Sequence, residues 1–292
     1  MIDLIIPTLS QGLLWSLLAL GVYITFRVLD FADMTVEGSF PLGAAICVYF
    51  LTRDQHPLLA LLAAGLVGGL AGIVTGLLHT KLRIPSLLAG ILSMIALYSV
   101  NLRIMGKANV SLLGKETAFT YMENLGLDYV QSVFAIGFLA TVVIGTLIYW
   151  FFGTEIGAAI RATGFNPQMI RAQGVDTNVM LLLGLFLSNA LTAMAGAFIG
   201  MNNGFFDVGM GVGTIVIGLA SVIIGEVLFG TRSFKNSLIS VVLGSIVYRF
   251  VIAIVLQMGM PPNDLKLFTS VLVVIALALP MMRDKVQRRK VG

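Results

Sequence analysis

Cysteine, histidine and charge are all scarce in this chain of 292 residues. The single cysteine, Cys47, allows neither a disulfide framework nor a thiolate metal cluster. The two histidines, His56 and His79, have no carboxylate or cysteine at metal-ligand spacing, so they read as polar loop residues. No G-x-x-x-x-G-K-[ST] phosphate loop occurs, so the chain carries no nucleotide site of its own. No nucleophile and base share a helical face, and the two histidines fall only at the edges of an apolar run, which argues against an enzyme. The net charge of +4 is small and scattered among apolar runs, which argues against a nucleic-acid surface. Charged residues make up 11% of the chain against about 25% in an ordinary soluble domain, so a water-exposed globule is excluded.

What remains is apolar and rich in glycine: 58% hydrophobic residues and 32 glycines, a composition suited to close helix packing in lipid. A helix needs about 20 mostly apolar residues to cross the hydrocarbon core. Nine stretches come near this, at 4–26, 37–52, 57–79, 84–103, 132–152, 178–200, 214–230, 236–257 and 266–282. The expected fold is an all-α integral membrane protein: one polytopic helix bundle spanning 1–292, with about nine (eight to ten) transmembrane helices. The runs beginning at 37, 214 and 266 are short, and short segments mark broken helices beside a substrate path. The start, Met1 to Ile6, lacks the basic region and cleavage site of a secretory signal, so its apolar run stays as a span.

Five basic residues, Arg283, Lys285, Arg288, Arg289 and Lys290, crowd the tail 283–292 and place it in the cytoplasm. Alternating backwards, Arg27, Lys81, Arg83, Arg161, Arg171, Arg232 and Lys235 join them inside. Arg53, Arg103, Lys107, Lys115 and Lys266 fall outside, which satisfies the positive-inside rule. The long outer loop 104–131 reads either as a solvated cap or as a docking surface. The inner loop 153–177 is more informative. Gly164 ends one helical stretch, Asn166 as N-cap with Pro167 at the first helical position starts another, and Gly174 stops it. On this short helix, 167–173, Met169 and Ile170 suit a partner's groove and Arg171 and Gln173 its polar rim. The alternative is an amphipathic turn resting on lipid.

A weak inverted repeat lays Phe31–Ala45 over Phe205–Ala220, with the copies at opposite faces. Ionisable groups at membrane depth are costly and face a cavity or a partner. Asp33, Glu37, Asn202, Asn203, Asp207, Tyr248 and Arg249 are therefore the candidates to line a path. Glu226 reads as a fold-stabilising partner of Arg232 or Lys235, and Gly218, Gly225 and Gly244 as packing positions.

The stretch Gly218–Gly230 with Glu226, followed by Asn236, Gly244, Tyr248 and Arg249, resembles the C-terminal signature of the branched-chain amino acid and ribose type ABC permeases. The opening Gly12–Tyr23 and the segment from Asp30 through Asp33, Glu37 and Gly38 to Ala44 resemble its uncharacterised tryptophan/tyrosine transport branch. The resemblance implies a permease of the bacterial plasma membrane that pairs with a second copy. It also implies cytoplasmic ATPase subunits, which bind ATP and Mg, and an extracytoplasmic substrate-binding protein. Under it, Asn166, Pro167, Met169, Ile170, Arg171, Gln173 and Gly174 map onto the helix that couples to the ATPase. The solute would be small, such as an aromatic amino acid, moved by alternating access. The rival reading is a proton- or ion-coupled secondary transporter that uses the intramembrane carboxylates.

Overall fold

The computed structural model describes residues 2–261, 264, 265, 267–271, 273 and 274. Its helices are α1 Ile2–Tyr23, α2 Val36–Leu51, α3 Pro57–Thr80, α4 Ser86–Met105, α5 Ala118–Glu123, α6 Tyr129–Phe152, α7 Glu155–Phe165, α8 Pro167–Ala172, α9 Thr177–Asn203, α10 Thr214–Phe229 and α11 Phe234–Gln257. Strands β1 Asn109–Ser111 and β2 Phe205–Asp207 form one short antiparallel ribbon. Among the described residues seven helical segments are long and apolar enough to span a membrane, and α2 is a shorter apolar helix. These eight coincide with the first eight apolar runs of the sequence. The ninth, 266–282, lies partly outside the described residues and the basic tail 283–292 wholly so.

Local signals explain where the helices start and stop. Pro57 opens α3 and the His56 ring accepts the Leu58 N–H, while the side chains of Thr154, Asn166, Asp176 and Ser233 accept N–H groups at the starts of α7, α8, α9 and α11. α4 and α9 end on glycines in the left-handed region, Gly106 and Gly204.

α1 is the central helix. It packs against α6, α9, α10 and α11, and its midsection from Leu13 to Ile24 is almost wholly buried. Two contacts fix its directions. Ser245 Oγ donates to the Gly12 carbonyl at 2.9 Å and Tyr23 faces Phe234, so α1 and α11 are antiparallel. Val22 meets Gly218 and Arg27 meets Glu226, so α1 and α10 are parallel.

The largest seam joins α3 and α9. Gly65, Gly68, Gly69, Gly72 and Gly76 lie against Met194, Ala193, Phe186, Leu185 and Leu182, and any Cβ at Gly72 would run into the Leu185 backbone. Lipid gives no hydrophobic drive for helix association, so such close approach supplies the van der Waals contact instead. Gly225 and Gly244 serve the α10–α11 seam in the same way, packed on the backbone of Ser240 and Ser221, and Gly218 sits on Val22.

The bundle has two distinct ends. At one, the ribbon and α5 fold the loop 104–131 over the helix ends, with Phe119 fully buried and Lys115 Nζ 2.8 Å from Asp54. That loop is a folded cap, and its strand pairing had no trace in the sequence pattern. At the other end lie α7 and α8, the turn before α11, and the Arg27–Glu226 ion pair. Glu226 therefore pairs with Arg27, not with Arg232 or Lys235. The parallel run of α1 and α10 turns its carboxylate toward α1, whereas Arg232 follows the turn at Gly230.

Candidate functional site

The chain breaks helical geometry at two places, and these place most of the polar groups. The first follows α1. Residues Ile24–Val28 form a π-helical turn, Asp30 adopts a left-handed φ of 51°, and residues 29–33 run without helix toward the start of α2. Single π turns of this kind are frequent at functional sites. The second follows α9, where β2, a short 3₁₀ turn and the left-handed Gly213 precede α10. In both, an aspartate closes a turn by accepting the N–H two residues on: Asp33 from Thr35 at 2.9 Å and Asp207 from Gly209 at 2.7 Å. The sequence repeat thus corresponds to a shared local device ahead of two short helices, each of 16 residues.

Asp33 is completely buried within a polar network. Its second carboxylate oxygen accepts from Asn189 Nδ2 at 2.7 Å, and Asn189 Oδ1 accepts from Ser39 at 2.6 Å. Thr35 Oγ1 lies 2.7 Å from Thr75 Oγ1, which donates to Ser93 Oγ at 2.7 Å. The broken segment is thereby tied to α2, α3, α4 and α9. Buried polar groups demand such partners, and a satisfied network specifies one arrangement. Asn189, Thr35, Thr75 and Ser93 were not singled out from the sequence, although Asn189 was legible as a polar residue inside the run 178–200.

Glu37, in the first turn of α2, accepts the Gly213 N–H at 3.0 Å, so the carboxylate of one short helix reaches the N-terminus of the other. Gly211 is pressed against the Glu37 carbonyl and Pro41, leaving no room for a side chain. A carboxylate is favourable at a helix N-terminus because unpaired N–H groups and the helix dipole converge there.

Beside this junction is a cavity of about 300 Å³ between α10 and α11, lined by Val212, Gly213, Val216, Tyr248, Arg249 and Thr269 among others. Arg249 lies fifteen residues into α11, roughly 22 Å from its start. Its guanidinium stacks 3.9 Å from the Trp15 ring centre, and Trp15 stacks on Phe40 at 5.6 Å. Helical side chains lean toward their own N-terminus, so Arg249 on α11 and Trp15 on the antiparallel α1 lean toward each other. The Nε of Arg249 is buried and has no hydrogen-bond partner among the described residues. Trp15 was not foreseen as a site residue; being one of two tryptophans was its only signal.

The other path candidates lie elsewhere. Asn202 and Asn203 line a separate cavity of about 280 Å³ at the ribbon end, where Tyr129 donates to the Asn202 carbonyl at 2.8 Å. Asp207 sits in the ribbon and accepts from Asn109 at 3.3 Å. The seven predicted residues therefore divide among the buried network, the Glu37–Gly213 junction with its cavity, and the ribbon end.

The α7–α8 hairpin forms a unit at the opposite end. Asn166 Oδ1 caps α8 by accepting the Met169 N–H at 3.0 Å, Gln173 closes it, and Gly174 follows at a φ of +86°. Phe165 is 91% exposed and Met169 46%, so they form the free apolar face. Ile170 is buried against the bundle, and Arg171 Nε donates to Thr177 Oγ1 at 2.6 Å, tying α8 to α9. Gly164 lies in the last turn of α7, which ends one residue later at Phe165. The glycine is needed because it presses on the backbone of Val28 and Leu29, directly after the π-helical turn. Next to this contact lies a cavity of about 420 Å³ containing Tyr23, Arg27, Asp30 and Arg161.

A multi-span bundle with two broken segments, whose short helices meet at Glu37 and Gly213 beside a largely apolar cavity, fits a solute permease. The chain belongs to the family described as branched-chain amino acid transport system / permease component, which matches residues 4–278. It is 40% identical to the tyrosine transport system permease protein of Clostridioides difficile (strain R20291), over 94% of this chain and 90% of that one. It is 32% identical to an uncharacterized protein of Rickettsia prowazekii (strain Madrid E), over 97% and 99%. More distantly, it is 27% identical to the autoinducer 2 import system permease protein LsrC of Escherichia coli (strain K12 / DH10B), over 81% and 67%. No solved structure matches. The chain is thus a multi-pass permease component of a transport system.

Proposed function

We propose that this single-domain permease works in the bacterial inner membrane as part of an ATP-driven importer, and that its solute is an aromatic amino acid or a close relative. The solute class follows the similarity to a tyrosine transport permease. The family relationship supports coupling to separate ATPase subunits, which bind ATP and Mg, and delivery by an extracytoplasmic binding protein, and it weighs against the ion-driven alternative. A second permease copy would complete the path. The distribution of charge supports the orientation. Arg27, Lys81, Arg83, Arg161, Arg171, Arg232 and Lys235 gather at the α7–α8 end and Arg53, Arg103, Lys107 and Lys115 at the ribbon end, which assigns the former to the cytoplasm.

The observation that carries the coupling reading is the seat of Gly164 on Val28 and Leu29. Phe165 and Met169 enter a groove of the ATPase, and Ile170 and Arg171 hold α8 to the bundle. A push on the hairpin passes through Gly164 to the π-helical turn. From there it follows the broken segment through the Asp33 network to α2, and through Glu37 to the start of α10. The two short helices shift together and the cavity opens alternately to either side. Met169→Asp tests this. The residue is exposed, so insertion and thermal unfolding should be unchanged, while uptake and co-purification of the ATPase are lost. Full uptake with the variant overturns the reading.

A further inference from the structure

We infer that the cavity between α10 and α11 is a carboxylate-binding site, in which Arg249, backed by the Trp15 ring, receives the anionic end of the solute and Tyr248 borders its apolar body. This rests on the permease reading above and adds to it the chemical group that is recognised and the residue that recognises it. The observations are independent of the relatives' names. A guanidinium is held at membrane depth with no carboxylate paired to it among the described residues. Its Nε is buried without a hydrogen-bond partner among the described residues, and the side chain borders a cavity large enough for a small organic solute.

A ring stacked on one face of a guanidinium leaves its edge, where all the N–H donors lie, available for another group. That planar fork matches a carboxylate, with two N–H donors meeting two oxygens. The Arg249–Trp15–Phe40 stack draws on α11, α1 and α2 and holds the fork in place. The second feature is the start of α10. Gly213 and Val212 line the same cavity, so the positive end of a 16-residue helix faces the space that Arg249 borders. Glu37 already takes the Gly213 N–H and offsets the field of that helix end, so the guanidinium is the group that receives an incoming carboxylate. Val216, Ile217, Ile252 and Leu265 give the lining an aliphatic side that suits a nonpolar body, and Thr269 and Ser270 add hydroxyls to it. An acidic lipid headgroup offers related anionic chemistry, and the test separates the two sources.

The chain contains only two tryptophans, Trp15 and Trp150. Trp150 is 68% exposed, so Trp150→Phe leaves Trp15 as a reporter in contact with the proposed site. The full-length permease is placed in nanodiscs of zwitterionic lipid, and tryptophan emission is excited where tyrosine does not absorb. L-Tyrosine and 3-(4-hydroxyphenyl)propionate should produce a saturable change, and tyramine and tyrosine methyl ester should not. Arg249→Lys should weaken the response by roughly tenfold or more, since an ammonium does not reproduce the two-point contact. Arg249→Gln should abolish it, and thermal unfolding with monodisperse elution verifies that each variant is folded. Val216→Trp, made with Trp15 and Trp150 both retained and read by thermal stabilisation, should block binding by filling the cavity while leaving Arg249 in place.

Equal responses to tyrosine and tyramine overturn the assignment, as does a response unchanged by Arg249→Gln or no saturable response to any carboxylate. An acidic lipid that alone reproduces the signal, with the carboxylates silent, makes it a lipid site and also overturns it. Uptake assays separate this inference from the importer reading. ATP-dependent uptake with an unchanged KM in Arg249→Gln removes the carboxylate site and leaves the importer standing. Carboxylate-dependent Trp15 signals in a chain that supports no uptake do the reverse.

Discussion

Asp33 shows what a single buried carboxylate does in this bundle. It accepts the Thr35 N–H and the Asn189 amide, and both donors belong to fully buried residues. Asp33→Ala should destabilise the permease by about 1–3 kcal/mol, the cost of leaving buried donors unpaired. Asp33→Asn should cost less, because its amide oxygen still accepts. Unfolding in detergent measures both, and an Ala variant as stable as the parent would remove the network from the forces holding the broken segment. The charge of Asp33 was legible in the sequence as an anomaly in an apolar chain. Its partners were not, because serine, threonine and asparagine are common inside spans and only the fold shows which of them converge. Glu226 illustrates the same limit. Its role as an ion-pair partner was readable, but its mate is 199 residues away in sequence, on a helix whose adjacency no local pattern encodes.

At the scale of elements, the α3–α9 seam is the clearest case of sequence dictating packing. Gly65, Gly68, Gly69, Gly72 and Gly76 fall on one helical face and allow the two backbones to touch. Gly72→Leu should force the helices apart and lower stability by about 1–3 kcal/mol or more through overpacking. Gly145→Ala on α6 has open space around its Cα and should leave stability unchanged. Thermal unfolding of the two variants in parallel checks the contrast, and equal effects would mean that the seam is not a close-packed contact. Apolar run length located eight helices to within a few residues, because hydrocarbon thickness is a strict ruler. The π-helical turn after α1 left no such mark. Ile24 to Val28 carry no proline or glycine, and the turn packs against α7 and α9, which are distant in sequence. The contact that Gly164 makes was hidden for a related reason. Glycine is both a helix terminator and a contact residue, and composition does not separate the two.

For the molecule as a whole, the distribution of charge predicts a direction that single-cysteine labelling can test. Cys47 is buried and unpaired, so Cys47→Ala gives a cysteine-free background. In that background Leu125→Cys, in the cap, should react with an impermeant maleimide in intact spheroplasts. Arg232→Cys, in the turn before α11, should react only in inverted vesicles. The opposite pattern would reverse the orientation and overturn the proposed contact of α7 and α8 with a cytoplasmic ATPase. The division of the path candidates is also a property of the whole. Asn202, Asn203 and Asp207 are close in sequence to the broken segment before α10, yet the chain turns sharply there, so they stay at the ribbon end while Gly213 reaches the cavity.

The ribbon has a mechanical consequence. β1 and β2 join the segment after α4 to the segment after α9, and Lys115 ties the same cap to the loop after α2. With three helix ends lashed together there, those three helices should move least relative to one another at that face and more with distance from it, as in a pair of tongs hinged at one end. The hairpin of α7 and α8 sits at the far end, where a given rotation sweeps the longest arc. A modest force applied there has the greatest leverage on the cavity between it and the hinge. Cutting the lashing by replacing β1 with a flexible stretch of equal length would leave the helices in place while removing their common pivot.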